Sequence, residues 1–121
     1  MFFECSKLNS INIENFNTNN LLNMRYIFYG CSILEKLNIG NFDTAKVKDM
    51  SCRFENCKNC KRLKELNLSN FKTSNVINMT KMFNNCFDLI KLDISNFDVK
   101  TNTRIKYMLS NCNSNLLNKI K

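Results

Sequence analysis

The sequence predicts an α/β solenoid of about four 26-residue coils, each built from a short parallel strand and a short helix. Three observations carry that expectation: a phrase that recurs along the chain, an apolar spacing of helical period in one half of it, and an apolar/polar alternation in the other. The phrase F-x-x-C-x-x-L-x-x-L-x-[I/L]-x-N-F-x-T-x-x-[V/L]-x-x-M runs from Phe2 to Met24 and again from Phe28 to Met50. It returns from Phe54 to Met79 with three extra residues, and in worn form from Phe83 to Ile105. A unit this small buries its apolar edge only against its neighbours, so residues 1–121 read as one domain. The repeats span about 2–27, 28–53, 54–82 and 83–108, and 109–121 form a partial C-terminal cap.

Within a unit, Leu21, Met24, Phe28 and Cys31 are separated by 3, 4 and 3 residues, as are Val47, Met50, Phe54 and Cys57, and Val76, Met79, Phe83 and Cys86. That spacing places each set on one side of a helix of two to three turns. Thr18, Thr44 and Thr73 stand three residues ahead of these sets, where a hydroxyl can cap the first free N–H groups; Val99 takes the place in the fourth repeat. The strand follows each helix. Ile11 and Ile13, Leu37 and Ile39, Leu66 and Leu68, and Leu92 and Ile94 alternate with polar residues, so four parallel strands should stack into one sheet about 20 Å tall. Asn15-Phe16, Asn41-Phe42, Asn70-Phe71 and Asn96-Phe97 then turn the chain off the strand and fill the bend.

Irregularities have places of their own. The three extra residues lie in Glu55–Lys61, after the third helix and ahead of its strand, where they must bulge outward with Lys58, Lys61, Arg62 and Lys64. In the last repeat Asn102 and Ile105 replace Val and Met, and Leu109 replaces Phe, as expected of a unit with no neighbour on one side. Met1 falls within the repeat's phase, which fits a fragment of a longer array. With no Pro and only two Gly, the turns fall to Asn, Asp and Ser.

Composition narrows the chemistry. The net charge of +8 is spread over all repeats without a block, which favours solubility and gives no specific nucleic-acid signature. No apolar run approaches the length of a membrane span, and no secretory signal is present, so direct membrane insertion is not expected. Cys5, Cys31, Cys57 or Cys60, Cys86 and Cys112 share one repeat position and read as buried, unbridged thiols. Cys52, Cys57 and Cys60 form C-x4-C-x2-C, but with no His in the chain and no fourth thiolate nearby no metal site is expected. The absence of His also removes the usual general base, and the ten acidic residues are scattered; no catalytic residues and no cofactor are expected.

Leu63-x-x-Leu66-Asn67-Leu68-Ser69-Asn70-Phe71-Lys72-Thr73-Ser74-Asn75-Val76-Ile77-Asn78-Met79, continuing to Met82-Phe83-Asn84-Asn85-Cys86, resembles the running phrase of BspA-like leucine-rich repeat surface proteins of the mycoplasma-lipoprotein-associated type. The resemblance implies a right-handed leucine-rich-repeat solenoid, a cell-surface or extracellular location, and adhesion to host matrix or cell-surface protein. Binding would then fall on the concave strand face. Its central column is Asn12, Asn38, Asn67 and Asp93, with Ser10, Lys36, Glu65 and Lys91 on one side and Glu14, Gly40, Ser69 and Ser95 on the other. A polar face whose Asn side chains bond one another between coils is the competing reading of the same column. Two other functions remain open: a spacer packed against neighbouring repeats of a longer chain, and an intracellular interaction scaffold, which seven Cys support.

Overall fold

Backbone hydrogen bonding, and not apolar spacing, decides what the segments expected to be helical become. The computed structural model describes residues 7, 10–13, 15–29, 31, 34–52 and 63–119. Where the third and fourth repeats meet, the N–H groups of Met79, Lys81, Phe83 and Asn85 donate to the carbonyls of Arg104, Lys106, Met108 and Ser110, about one repeat length further along the chain, at 2.7–3.0 Å. The amides between them turn inward: Met82 donates to Met79 O, Asn84 to Lys81 O and Cys86 to Phe83 O. A helix would need every one of these amides for a carbonyl four residues back. Here half of them join neighbouring repeats and half close turns.

Backbone conformation completes the exclusion of a helix. Tyr26, Cys52, Lys81 and Tyr107 occupy the same repeat position and hold φ of 58°, 53°, 57° and 57°, while Asn85 and Asn111 hold 66° and 59°. Lys81 and Asn85 are the third residues of the 79–82 and 83–86 turns, where a left-handed conformation gives a type II geometry. Overlapping turns of this kind advance the chain so that Met79, Phe83 and Cys86 still face inward and are buried. Met24, Phe28 and Cys31 do the same where the first and second repeats meet. The 3-4-3 spacing therefore marks a buried edge but no helix.

Four three-residue strands form: β1 (Ser10–Asn12), β2 (Lys36–Asn38), β3 (Glu65–Asn67) and β4 (Lys91–Asp93). They pair in parallel as two separate sheets, β1 with β2 and β3 with β4. The expected leucine-rich-repeat-like right-handed solenoid, with a strand and a helix in every coil and one four-stranded sheet, is thus overturned. Among the described residues there are two small two-stranded sheets, mostly turn and coil between them, and one helix, α1 (Ser114–Lys119), outside the repeated units. The sheet breaks between the second and third repeats, where the sequence carries its three extra residues. The insertion itself, including Lys58, Lys61 and Arg62, lies outside the described residues, as do Phe2, Cys5, Glu14, Phe54, Cys57 and Cys60.

A second set of parallel contacts, Asn23 to Asp49 to Asn78 to Arg104, links all four repeats by single bridges. Asn23, Asp49 and Asn78 each accept the N–H two residues on with their own side-chain oxygen, at 2.8, 2.9 and 3.1 Å. Such local bonds satisfy the N–H two residues on and let the chain bend without Gly, while inter-repeat bonding continues through Met50 and Cys52 and through Met79 and Lys81.

The expected Thr caps are also corrected. Thr44 Oγ1 accepts Lys72 N–H at 2.8 Å and donates to Lys72 O at 3.1 Å. Thr73 does the same with Asp98, and Thr18 Oγ1 accepts Asp43 N–H at 2.9 Å. Each hydroxyl ties one repeat to the next, because no helix start exists for it to cap. Between the two sets of bridges lies the core, with Ile13, Ile39, Leu68, Phe42, Phe71, Met50 and Met79 all buried. Each such side chain contributes about 1.5–3 kcal/mol by leaving water.

Candidate functional site

Every strand shows its two outer residues to solvent and turns the central one toward the core. This places Asn12, Asn38, Asn67, Asp93, Lys36, Glu65 and Lys91 on exposed positions. Strand register sets Ser10 beside Lys36 and Asn12 beside Asn38, then Glu65 beside Lys91 and Asn67 beside Asp93. No strand pairing connects Asn38 to Asn67 among the described residues, so the expected single column is built as two separate pairs.

The central residues act on their own strand ends. Asn38 Oδ1 accepts Gly40 N–H at 3.3 Å, and Asn67 Oδ1 accepts both the N–H and the hydroxyl of Ser69, at 2.9 and 2.7 Å. Asp93 Oδ1 takes the same two bonds from Ser95, at 3.0 and 2.6 Å. The Ser95 hydroxyl, and then its amide, hold the Asp93 carboxyl below its ordinary pKa. These oxygens close the turn that follows each strand. Asn70 and Asn96 add a link between repeats, donating from their side-chain amides to Gly40 O and Ser69 O.

In the flanking column, Lys91 Nζ lies 3.6 Å from Glu65, with both side chains about two-thirds exposed or more. A pair so open to water contributes little to stability. Its value is as a patch of mixed sign.

Beside β4 this face opens into a groove of about 880 Å³ that sequence reasoning did not single out. Its polar rim includes Lys91 and Asp93, and its floor includes Leu92, Ile94, Phe97 and Val99. Their counterparts one repeat earlier, Leu66, Leu68, Phe71 and Thr73, are 3%, 0%, 1% and 1% exposed, whereas Val99 is 47% exposed and the other three are only half-buried. The signal was present in the sequence as Val99 in the Thr position. Val99 has no hydroxyl of the kind that Thr18, Thr44 and Thr73 use to bond the unit that follows them.

Among the described residues no group of three or more His, Cys, Asp or Glu is arranged to hold a metal ion, and no helix is long and apolar enough to cross a membrane. Cys31 and Cys86 are buried; Cys112 is half-buried, with burial raising its thiol pKa and its Sγ donating to Phe83 O at 3.1 Å.

Short units joined by backbone and threonine bonds thus carry an exposed polar strand face. The chain belongs to the family described as Mycoplasma protein of unknown function, DUF285, whose model matches residues 1–120. No curated protein and no solved structure matches it.

Proposed function

We propose that the chain is a non-enzymatic protein-binding module that adheres through its exposed strand face, in the manner of the BspA-like surface proteins its repeats resemble. The observation that carries this reading is the exposure of both outer residues on all four strands. Lys36, Glu65 and Lys91 project side chains of both signs from one edge of that face, which suits a protein partner better than a uniformly charged polymer. A cell-surface or extracellular setting and a host matrix or cell-surface partner go with the resemblance.

Chemistry supports the non-enzymatic part. The chain has no His, and Ser95 lowers the pKa of the one carboxyl on the central column, whereas a general acid near neutral pH requires it raised. The test is binding to immobilised collagen and laminin by surface plasmon resonance, comparing the wild type with Lys36→Ser/Glu65→Ser. Ser10 already occupies that column, so the change keeps the strand. The variant is expected to bind about tenfold more weakly. Equal binding by both proteins would remove the strand face from consideration.

One observation favours a second reading, a spacer with no ligand of its own. Asn38, Asn67 and Asp93 direct their oxygens to local turns, so the central column serves the architecture. A spacer would bind neither surface, in wild-type or variant form.

A further inference from the structure

The fourth strand differs from the others in charge, in exposure and in what lies beyond it. Lys91 N–H donates to Lys64 O and Asp93 O accepts Leu68 N–H, both at 2.9 Å, so the backbone groups of Lys91 and Asp93 face β3. Alternation along the strand turns the N–H and C=O of Leu92 toward the opposite edge, which carries no strand among the described residues. The apolar groove of Leu92, Ile94, Phe97 and Val99 lies along this strand.

Read along the chain, the segment is Ile90-Lys91-Leu92-Asp93-Ile94: apolar, basic, apolar, acidic, apolar. It complements its own reverse. The other strands carry Ser10 and Asn12, Lys36 and Asn38, or Glu65 and Asn67 on their exposed positions, so only β4 sets opposite charges on either side of its centre. Ile90 is also 39% exposed, although it is a large apolar residue.

We propose that this edge is a self-association site, at which two copies of the chain pair their β4 strands antiparallel about Leu92. The two Leu92 residues then exchange N–H and C=O bonds as a hydrogen-bonded pair. Lys91 stands opposite Asp93 of the second copy, twice over, in the narrower non-hydrogen-bonded pairs where side chains approach closest. Ile90 meets Ile94 of the second copy on the opposite face, next to the groove floor. Lys91 keeps Glu65 on its other side, so each lysine sits between two carboxylates. Asp93 Oδ1 remains engaged with Ser95 while its second oxygen turns to the partner lysine. The contact joins two sheets of two strands into one of four and covers the apolar floor. It rests on strand chemistry alone and does not depend on the adhesive reading.

Sedimentation velocity on the full chain, from micromolar to near-millimolar concentration and without any ligand, tests it. The wild type is expected to dimerise. Lys91→Glu makes the edge all acidic and Asp93→Lys makes it all basic, and each should weaken self-association at least about tenfold. An equimolar mixture of the two should regain a dimer, because every acidic position then meets a basic one. The double variant Lys91→Glu/Asp93→Lys should regain it alone. Circular dichroism checks that each variant folds. Lys91→Ser and Asp93→Asn repeat the test with residues already present at the same positions of other repeats, and Asn preserves the turn bond, as Asn67 shows with Ser69. A monomeric wild type at all concentrations, single variants that associate like wild type, or a mixture that stays monomeric would each overturn the proposal.

Discussion

Small side chains set the strand ends of this protein, and single atoms decide how well. Gly40 occupies the position of Ser69 and Ser95, and a Cβ placed on it would sit 3.6 Å from both Asn38 Oδ1 and Asn70 Nδ2, an ordinary contact. Gly40→Ser should therefore supply the hydroxyl bond that Asn67 and Asp93 already receive, and reduce the freedom of the unfolded chain. A gain of about 0.5–1 kcal/mol in thermal or urea unfolding is expected. Asp93 makes the complementary case through its titration. Because its pKa is lowered in the folded state, its stabilising contribution is complete above the ordinary carboxylate range and fades as pH falls through the lowered value. Ser95→Ala removes the larger of the two causes, so the Asp93 titration followed by NMR should move upward, toward the ordinary value. At Thr44, 1% exposed, substitution by Val keeps the shape and deletes both bonds to Lys72. A loss of about 1–3 kcal/mol is expected, read from the shift in urea midpoint.

At the scale of elements, the sequence discloses burial more faithfully than conformation. Of the described residues at 3-4-3 spacing, all are buried except Leu21, which is half-buried, and the central residue of every strand turns inward where alternation placed it. Helix and overlapping turns share that spacing, however, and only the destination of the amides separates them. Those amides pair with carbonyls about one repeat away, such as Met50 N–H with Asn78 O, and a local window of sequence cannot contain that partner. The threonines misled for the same reason: Thr73 contacts Asp98, in the next unit. A direct experiment separates the two conformations. Lys81 holds φ at 57°, where a Cβ is unfavourable, so Lys81→Gly should leave stability unchanged or raise it. In a helix the same change would cost about 1 kcal/mol, and thermal unfolding distinguishes the two signs.

Across the whole molecule, the exposure of the outer strand residues was legible, because it follows from alternation. The groove beside β4 was not, since it depends on Leu92, Ile94, Phe97 and Val99 being more exposed than their counterparts one repeat earlier. Phe97, expected to fill its bend, is only half-buried there, while Phe42 and Phe71 are 3% and 1% exposed in the middle of the chain. Truncating those central rings should accordingly cost more. Phe71→Ala is expected to lose about 3–5 kcal/mol and Phe97→Ala clearly less, in matched urea titrations.

The threonine links have a consequence for how the protein breathes. Lys72 and Asp98 have exposed side chains, yet their amide protons are held by hydroxyls that are themselves buried. Deuterium from solvent can replace those protons only when two adjacent repeats part. Exchange at these two surface residues therefore clocks the separation of neighbouring units, with Lys72 reporting the middle of the stack and Asp98 its looser end.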